Sequence, residues 1–166
     1  MIRRNSLLPL WLLCLFLLWP GPASAQSVRF LSVIDGDSLL VEYQGDAMEI
    51  RLIGVDAPEF KQEYGNAAKV FTLRFCHRKV LQLEFDQGRK DRYGRYLAYV
   101  YAGQAMLNEE LVRAGLAIPV KVRPNTRYDS RFKAAEKEAV DKKRGFWIRG
   151  GLELTPAEWR RAHPRK

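Results

Sequence analysis

Cysteine and histidine are nearly absent from this chain. Its 166 residues hold two of each: Cys14, Cys76, His77 and His163. Two cysteines cannot build a disulfide framework, and His77 beside Cys76 does not supply the four ligands of a zinc site. Both histidines read as structural or surface residues, and no Ser-His-Asp or Cys-His arrangement stands out. A glycine-rich loop that could cradle phosphate is missing, and so is the ligand series of an EF-hand. There is no internal repeat, low-complexity tract or long linker. After residue 25 no run is apolar enough to cross a membrane.

The first 25 residues read as a secretory signal peptide. Arg3 and Arg4 form a positive start, residues 7–19 are apolar but short for a membrane span, and Ala23-Ser-Ala25 is a small-residue cleavage site. An exported protein, periplasmic or secreted, is therefore expected. Residues 26–166 would form one domain, with its core at about 28–147 and a short basic C-terminal extension. A domain of that length buries about 68–70% of its unfolded surface without staples. Cys14 would leave with the signal, and Cys76 then reads as a small buried apolar residue. The formal charge is +9. A basic exported domain suits polyanions, and nucleic acid is one of them.

Period-two patterns predict strands at 28–34, 38–43, 47–55, 79–85 and 96–101. In the third, Arg51 should project opposite Ile50 and Leu52. Helical spacing is expected over 63–75, with Ala67, Val70, Phe71 and Arg74 along one side. Further helices fit 107–114, closed by Gly115, and 129–144, with a stripe of Phe132, Ala135, Ala139 and Val140. Thr155-Pro-Ala-Glu158 has the form of a capping box, which predicts a last helical turn near Trp159. This order suggests a small closed barrel with helices around it, and a five-stranded OB-type barrel meets the description.

Three blocks carry chemistry: Asp35-Gly-Asp37-Ser, Arg51-Leu-Ile-Gly-Val-Asp56-Ala-Pro-Glu59, and Asp91-Arg-Tyr-Gly-Arg95. Each lies where a strand pattern meets a turn. Asp37 and Asp56 are the best ligands for a hard cation such as Ca²⁺ or Mg²⁺, with Asp35 a third donor or a partner just outside the ligand shell. Glu59, just after Pro58, could act as general base on a metal-bound water. Arg51 and Arg95 offer guanidinium forks that match phosphate oxygens. Read singly, the aspartates are turn residues and Glu59 and Arg95 are exposed loop residues. Together they form the inventory that phosphodiester hydrolysis needs. Lys121 and Arg123, in an irregular stretch, are candidates for contacting a substrate backbone. The charges over 133–144 read as a solvated helix face.

In this order, and joined by Leu107-Asn-Glu-Glu-Leu-Val-Arg-Ala-Gly-Leu-Ala117, the blocks resemble the staphylococcal nuclease (thermonuclease) family over residues 28–147. The resemblance implies an α+β fold, a five-stranded OB-type barrel with three helices. It implies Ca²⁺-dependent hydrolysis of DNA and RNA to 3′-phosphate products, by a monomer without a stable protein partner. By position, Asp37, Asp56 and the Ala57 backbone carbonyl match the calcium ligands. Arg51, Glu59 and Arg95 match the catalytic trio, and Tyr93 matches a substrate-side tyrosine. Two features depart from the family's type member. The loop after Glu59 is short, and residues 118–123 replace a segment supplying two other substrate-side tyrosines. A noncatalytic OB-type nucleic-acid-binding protein is the alternative.

Overall fold

The computed structural model describes residues 26–164. The expected signal peptide lies outside the described residues. Strands β1 (Gln26–Asp35), β2 (Ser38–Tyr43) and β3 (Asp46–Leu52) form an antiparallel meander. Strand β5 (Val80–Glu84) pairs with β1, and β6 (Tyr96–Ala102) pairs with β5. Parallel pairing of β3 with β6 closes the barrel, with Arg51 opposite Leu97. Alternation fills the interior: Leu39, Val41, Ile50, Leu52, Leu81 and Leu83 are all buried. Residues 97–100 of β6 are buried without alternation, because helices cover the strand's outer face.

The expected third strand is broken. Gly54 has φ +76°, and a Cβ there would meet the Phe132 ring at 2.7 Å, so only glycine turns the chain at this point. Beyond it, the short β4 (Val55–Asp56) leaves the barrel and pairs with β8 (Ile118–Pro119). That pairing carries Asp56 to the barrel mouth. A two-residue β7 (Ala105–Met106) extends the edge beside β6.

Among the described residues there are four α-helices rather than three: α1 (Gly65–Cys76), α2 (Leu107–Arg113), α3 (Asp129–Asp141) and α4 (Pro156–Ala162). The turn expected near Trp159 is a full short helix, and both halves of its capping box form between Thr155 and Glu158. On α1 the fully buried stripe is Ala68, Thr72 and Cys76, not Ala67, Val70, Phe71 and Arg74. Small residues win that face because the helix lies close against the turn after β1. On α3, Phe132, Ala135 and Ala139 are buried as expected, whereas Val140 is exposed. Cys76 is a buried free thiol, and burial pushes it up to about 12.

Buried Asn108 on α2 holds the seam where the barrel closes. Its side chain accepts from the Val100 amide at 3.0 Å and donates to the Ile53 carbonyl at 2.9 Å. Among the described residues no helix is long and apolar enough to cross a membrane.

Candidate active site

The turn joining β1 to β2 is fixed from behind. Thr72 donates to the Gly36 carbonyl at 2.5 Å, and a Cβ on Gly36 would meet the Cβ atoms of Ala57 and Ala68 at 2.7 Å. Glycine therefore lets α1 clamp the turn. Within it, the Asp37 amide donates to Asp35 Oδ1 at 3.2 Å, the local turn chemistry that favours aspartate here. Asp37 is presented inward and is buried.

Across the sheet, the Leu52 amide donates to the Asp37 carbonyl at 2.9 Å, which sets Arg51 beside Asp37. The Arg51 guanidinium reaches Asp37 Oδ2 and Asp56 Oδ1, each at 2.9 Å. It also donates to the Val55 carbonyl at 2.9 Å. A charge in an otherwise apolar strand thus finds two carboxylates and a main-chain acceptor, as its burial demands. The Ala57 amide donates to Asp37 Oδ2 at 2.6 Å.

Burial pushes Asp37 up to about 7. Arg51 and the Ala57 amide pull the other way, while the charges of Asp35 and Asp56 add to the rise. One guanidinium does not neutralise this group. The surroundings fit a divalent cation: the donors are all oxygen, two carboxylates are buried side by side, and negative charge is in excess. Among the described residues, no three His, Cys, Asp or Glu side chains are grouped closely enough to hold an ion alone. A cation here would complete its shell with water, main-chain oxygen or ligand oxygen.

Glu59 lies at the rim, on a loop folded tightly against the start of α1. Its amide donates to Gln62 Oε1 at 3.2 Å, and the buried Gln62 donates onward to the Leu154 carbonyl at 2.6 Å. Arg95 lines the same cleft but is held elsewhere. Its Nε donates to Asp91 Oδ2 at 2.7 Å, and Asp91 Oδ1 accepts from the amides of Tyr93 and Arg95. Burial raises Asp91, but these hydrogen bonds outweigh it and hold the carboxyl below its ordinary range. Arg95 and Arg92 both lie over the Tyr93 ring, which is 68% exposed and forms one wall of the cleft.

The cleft is an open trough of about 1110 Å³, at the upper end of what a small ligand fills. It brings together Asp35, Asp37, Arg51, Glu59, Tyr93 and Arg95. Asp56 adjoins it through Arg51. Lys121 and Arg123 are exposed and do not line it.

The same cleft is lined by residues that sequence reasoning did not assign to the site: Phe60, Trp159, Arg160 and His163. Trp159 stacks on His163, with ring centroids 3.9 Å apart. Arg160 donates to Asp56 Oδ2 at 2.9 Å and to Glu59 Oε1 at 2.8 Å. The capping box was the available signal, since a helix starting at Thr155 places Trp159 and His163 on one face four residues apart. Nothing local indicated that this helix turns back to the barrel mouth.

An OB-type barrel whose mouth gathers carboxylates and guanidiniums in an open polar cleft is the class defined by fold and site. The family described as staphylococcal nuclease homologue matches residues 49–149. A thermonuclease of Staphylococcus hyicus is 41% identical over 131 residues, covering 75% of this chain and 78% of the relative. A thermonuclease of Staphylococcus intermedius is 41% identical over 123 residues, 70% of this chain and 73% of the relative. Endonuclease YncB of Bacillus subtilis (strain 168) is 40% identical over 126 residues, 71% of this chain and 60% of the relative. The chain belongs to the staphylococcal nuclease family.

Proposed function

We propose that this protein is an exported, Ca²⁺-dependent nuclease that hydrolyses DNA and RNA phosphodiester bonds and leaves 3′-phosphate ends. The observation that carries the reading is the convergence of Asp37, Arg51, Asp56, Glu59 and Arg95 on one cleft mouth, in a chain 41% identical over 131 residues to a thermonuclease.

Asp37 and Asp56, with the Ala57 carbonyl, would hold the cation, with Asp35 behind Asp37. The bound ion supplies Lewis-acid stabilisation of a phosphate oxygen. Glu59 accepts a proton from, or orients, the attacking water. Arg51 and Arg95 donate to the phosphoryl oxygens as charge builds in the five-coordinate transition state. Fixed donors gain most there because Asp37, Asp56 and Asp91 already hold the forks in place. Tyr93 offers an exposed ring for a base beside the scissile phosphate. Two protein carboxylates imply weak binding, with Kd roughly 10⁻⁴–10⁻³ M and Ca²⁺ preferred for its tolerance of irregular shells. Such affinity suits an extracellular or periplasmic setting.

Purified residues 26–166 should digest plasmid DNA and RNA with Ca²⁺ and lose activity in chelator. Products should resist a 3′-hydroxyl-dependent polymerase until a phosphatase removes the end group. Binding of nucleic acid without cleavage in any divalent ion would make the protein a noncatalytic OB-type binder instead.

A further inference from the structure

We propose that Arg160 is a further positioning residue of this site, a tethered cation that competes with the divalent ion for Asp56 and Glu59. The proposal rests on the metal-dependent reading above. It makes docking of helix α4 and filling of the metal site oppose one another.

Occupancy of the acceptor positions is the first argument. Asp56 Oδ1 accepts from Arg51 at 2.9 Å and from Arg160 at 3.1 Å, and Asp56 Oδ2 accepts from Arg160 at 2.9 Å. A carboxylate has about four acceptor positions, so three of those on Asp56 are taken. The same guanidinium spans to Glu59 Oε1 at 2.8 Å. It therefore bridges the expected ligand and the expected base, which a bound cation and its water would otherwise link. A dication at Asp56 would lie within a few ångströms of the guanidinium, and like charges at that distance repel strongly. The ion and Arg160 therefore compete for these oxygens.

The second argument is mechanical. Arg160 lies on α4, beyond the residues that match the family. The C-terminal segment is tied to the Glu59 loop at two more places, Gln62 to the Leu154 carbonyl and Arg149 to Glu63 at 3.0 Å. These ties precede α4 in the chain, so they keep the segment near when Arg160 lets go. The Arg160 side chain is 45% exposed. An exposed arginine on a short tethered helix can leave two carboxylates and return, whereas Arg51, locked in the barrel wall, cannot.

The test reads metal affinity and helix position rather than turnover. Calorimetric titration of residues 26–166 with Ca²⁺, without nucleotide, gives the reference Kd. Removing the competitor in Arg160→Gln should tighten Kd by roughly fivefold to a hundredfold, the span of ordinary coupling between sites. Arg160→Lys keeps a cation without the fork and should fall between. Thr155→Ala leaves Arg160 intact and weakens only the helix start. It should tighten Kd by a smaller factor, which a purely local effect at residue 160 would not produce. Saturating Ca²⁺ should also change tryptophan emission, and Trp159→Phe should abolish that change while Trp147 remains. An unchanged Kd in Arg160→Gln, with Ca²⁺ still bound and still required for cleavage, overturns the competition and leaves the nuclease reading standing. Ca²⁺ binding absent from both wild type and Arg160→Gln overturns both.

Discussion

Two carboxylate clusters in this molecule use the same residue types to opposite ends. At one side of the barrel, Glu84 accepts from Tyr101 at 2.9 Å and from Tyr128 at 3.0 Å, and pairs with Arg127. Asp86 beside it accepts from Tyr99 at 3.0 Å. Phenol donors meet nearly every oxygen, and burial first of all, with Asp86 beside Tyr99 and with Tyr128 and Glu84 beside Tyr101, holds the Tyr99 and Tyr101 phenols well above their ordinary range. At the cleft mouth, where Asp35, Asp37, Asp56 and Glu59 gather, Arg51 pairs with Asp37 and Asp56, and Arg160 pairs with Asp56 and Glu59. The first cluster is satisfied by phenol hydrogen bonds together with the Arg127 guanidinium and has little use for an outside ligand. The second keeps excess negative charge that burial makes expensive, so it has reason to recruit a cation. A site is recognised here by imbalance, not by the presence of acids.

The comparison breaks most sharply at Glu59. Glu59→Gln should lower kcat by roughly two to four decades and alter the acidic limb of the rate profile, the range expected when a general base is lost. Near-normal activity and pH dependence would leave Glu59 no more than a water-orienting residue. Arg95→Ala should reduce kcat by about two to three decades with little change in KM, as loss of a preorganised donor does. Arg51→Ala should match it and also destabilise the fold, because it strips buried Asp37 and Asp56 of their shared partner. Rate assays paired with urea melts separate the two arginines.

On the balanced side the effects should appear in stability alone. Glu84→Gln should cost about 1–3 kcal/mol in urea unfolding, with kcat/KM and Ca²⁺ affinity unchanged. A loss of activity there would mean that the two clusters communicate. Tyr101→Phe, which removes one donor to Glu84, should cost about 1 kcal/mol and again leave turnover alone.

Much of this was legible in the chain because the relevant signals are local. Strand alternation located the barrel, and the side of the third strand on which Arg51 emerges followed from its buried neighbours Ile50 and Leu52. Asp-Gly-Asp and Pro58-Glu59 marked turns, and turns are where side chains converge. What escaped was set at long range. The helix stripe on α1 shifted to Ala68, Thr72 and Cys76 because the neighbouring turn required close approach, which helical spacing alone cannot express. Gly54 read as part of a strand until the Phe132 ring, 78 positions away in the chain, took the space above it. Arg160 lies 104 positions from Asp56, and no periodicity reports such a contact.

The pairing of β4 with β8 has a consequence for redesign. Asp56 is steadied by main-chain partners at Ile118 and by the Val120 amide, which donates to the Gly54 carbonyl at 2.9 Å. Main-chain bonds of this kind do not depend on the identity of the side chains hung from them. The exposed positions that follow, Lys121 and Arg123, can therefore be exchanged for aromatic or acidic residues while the ligand stays in register. The surface outside the cleft can thus be rewritten from position 121 onward while Asp56 keeps its place.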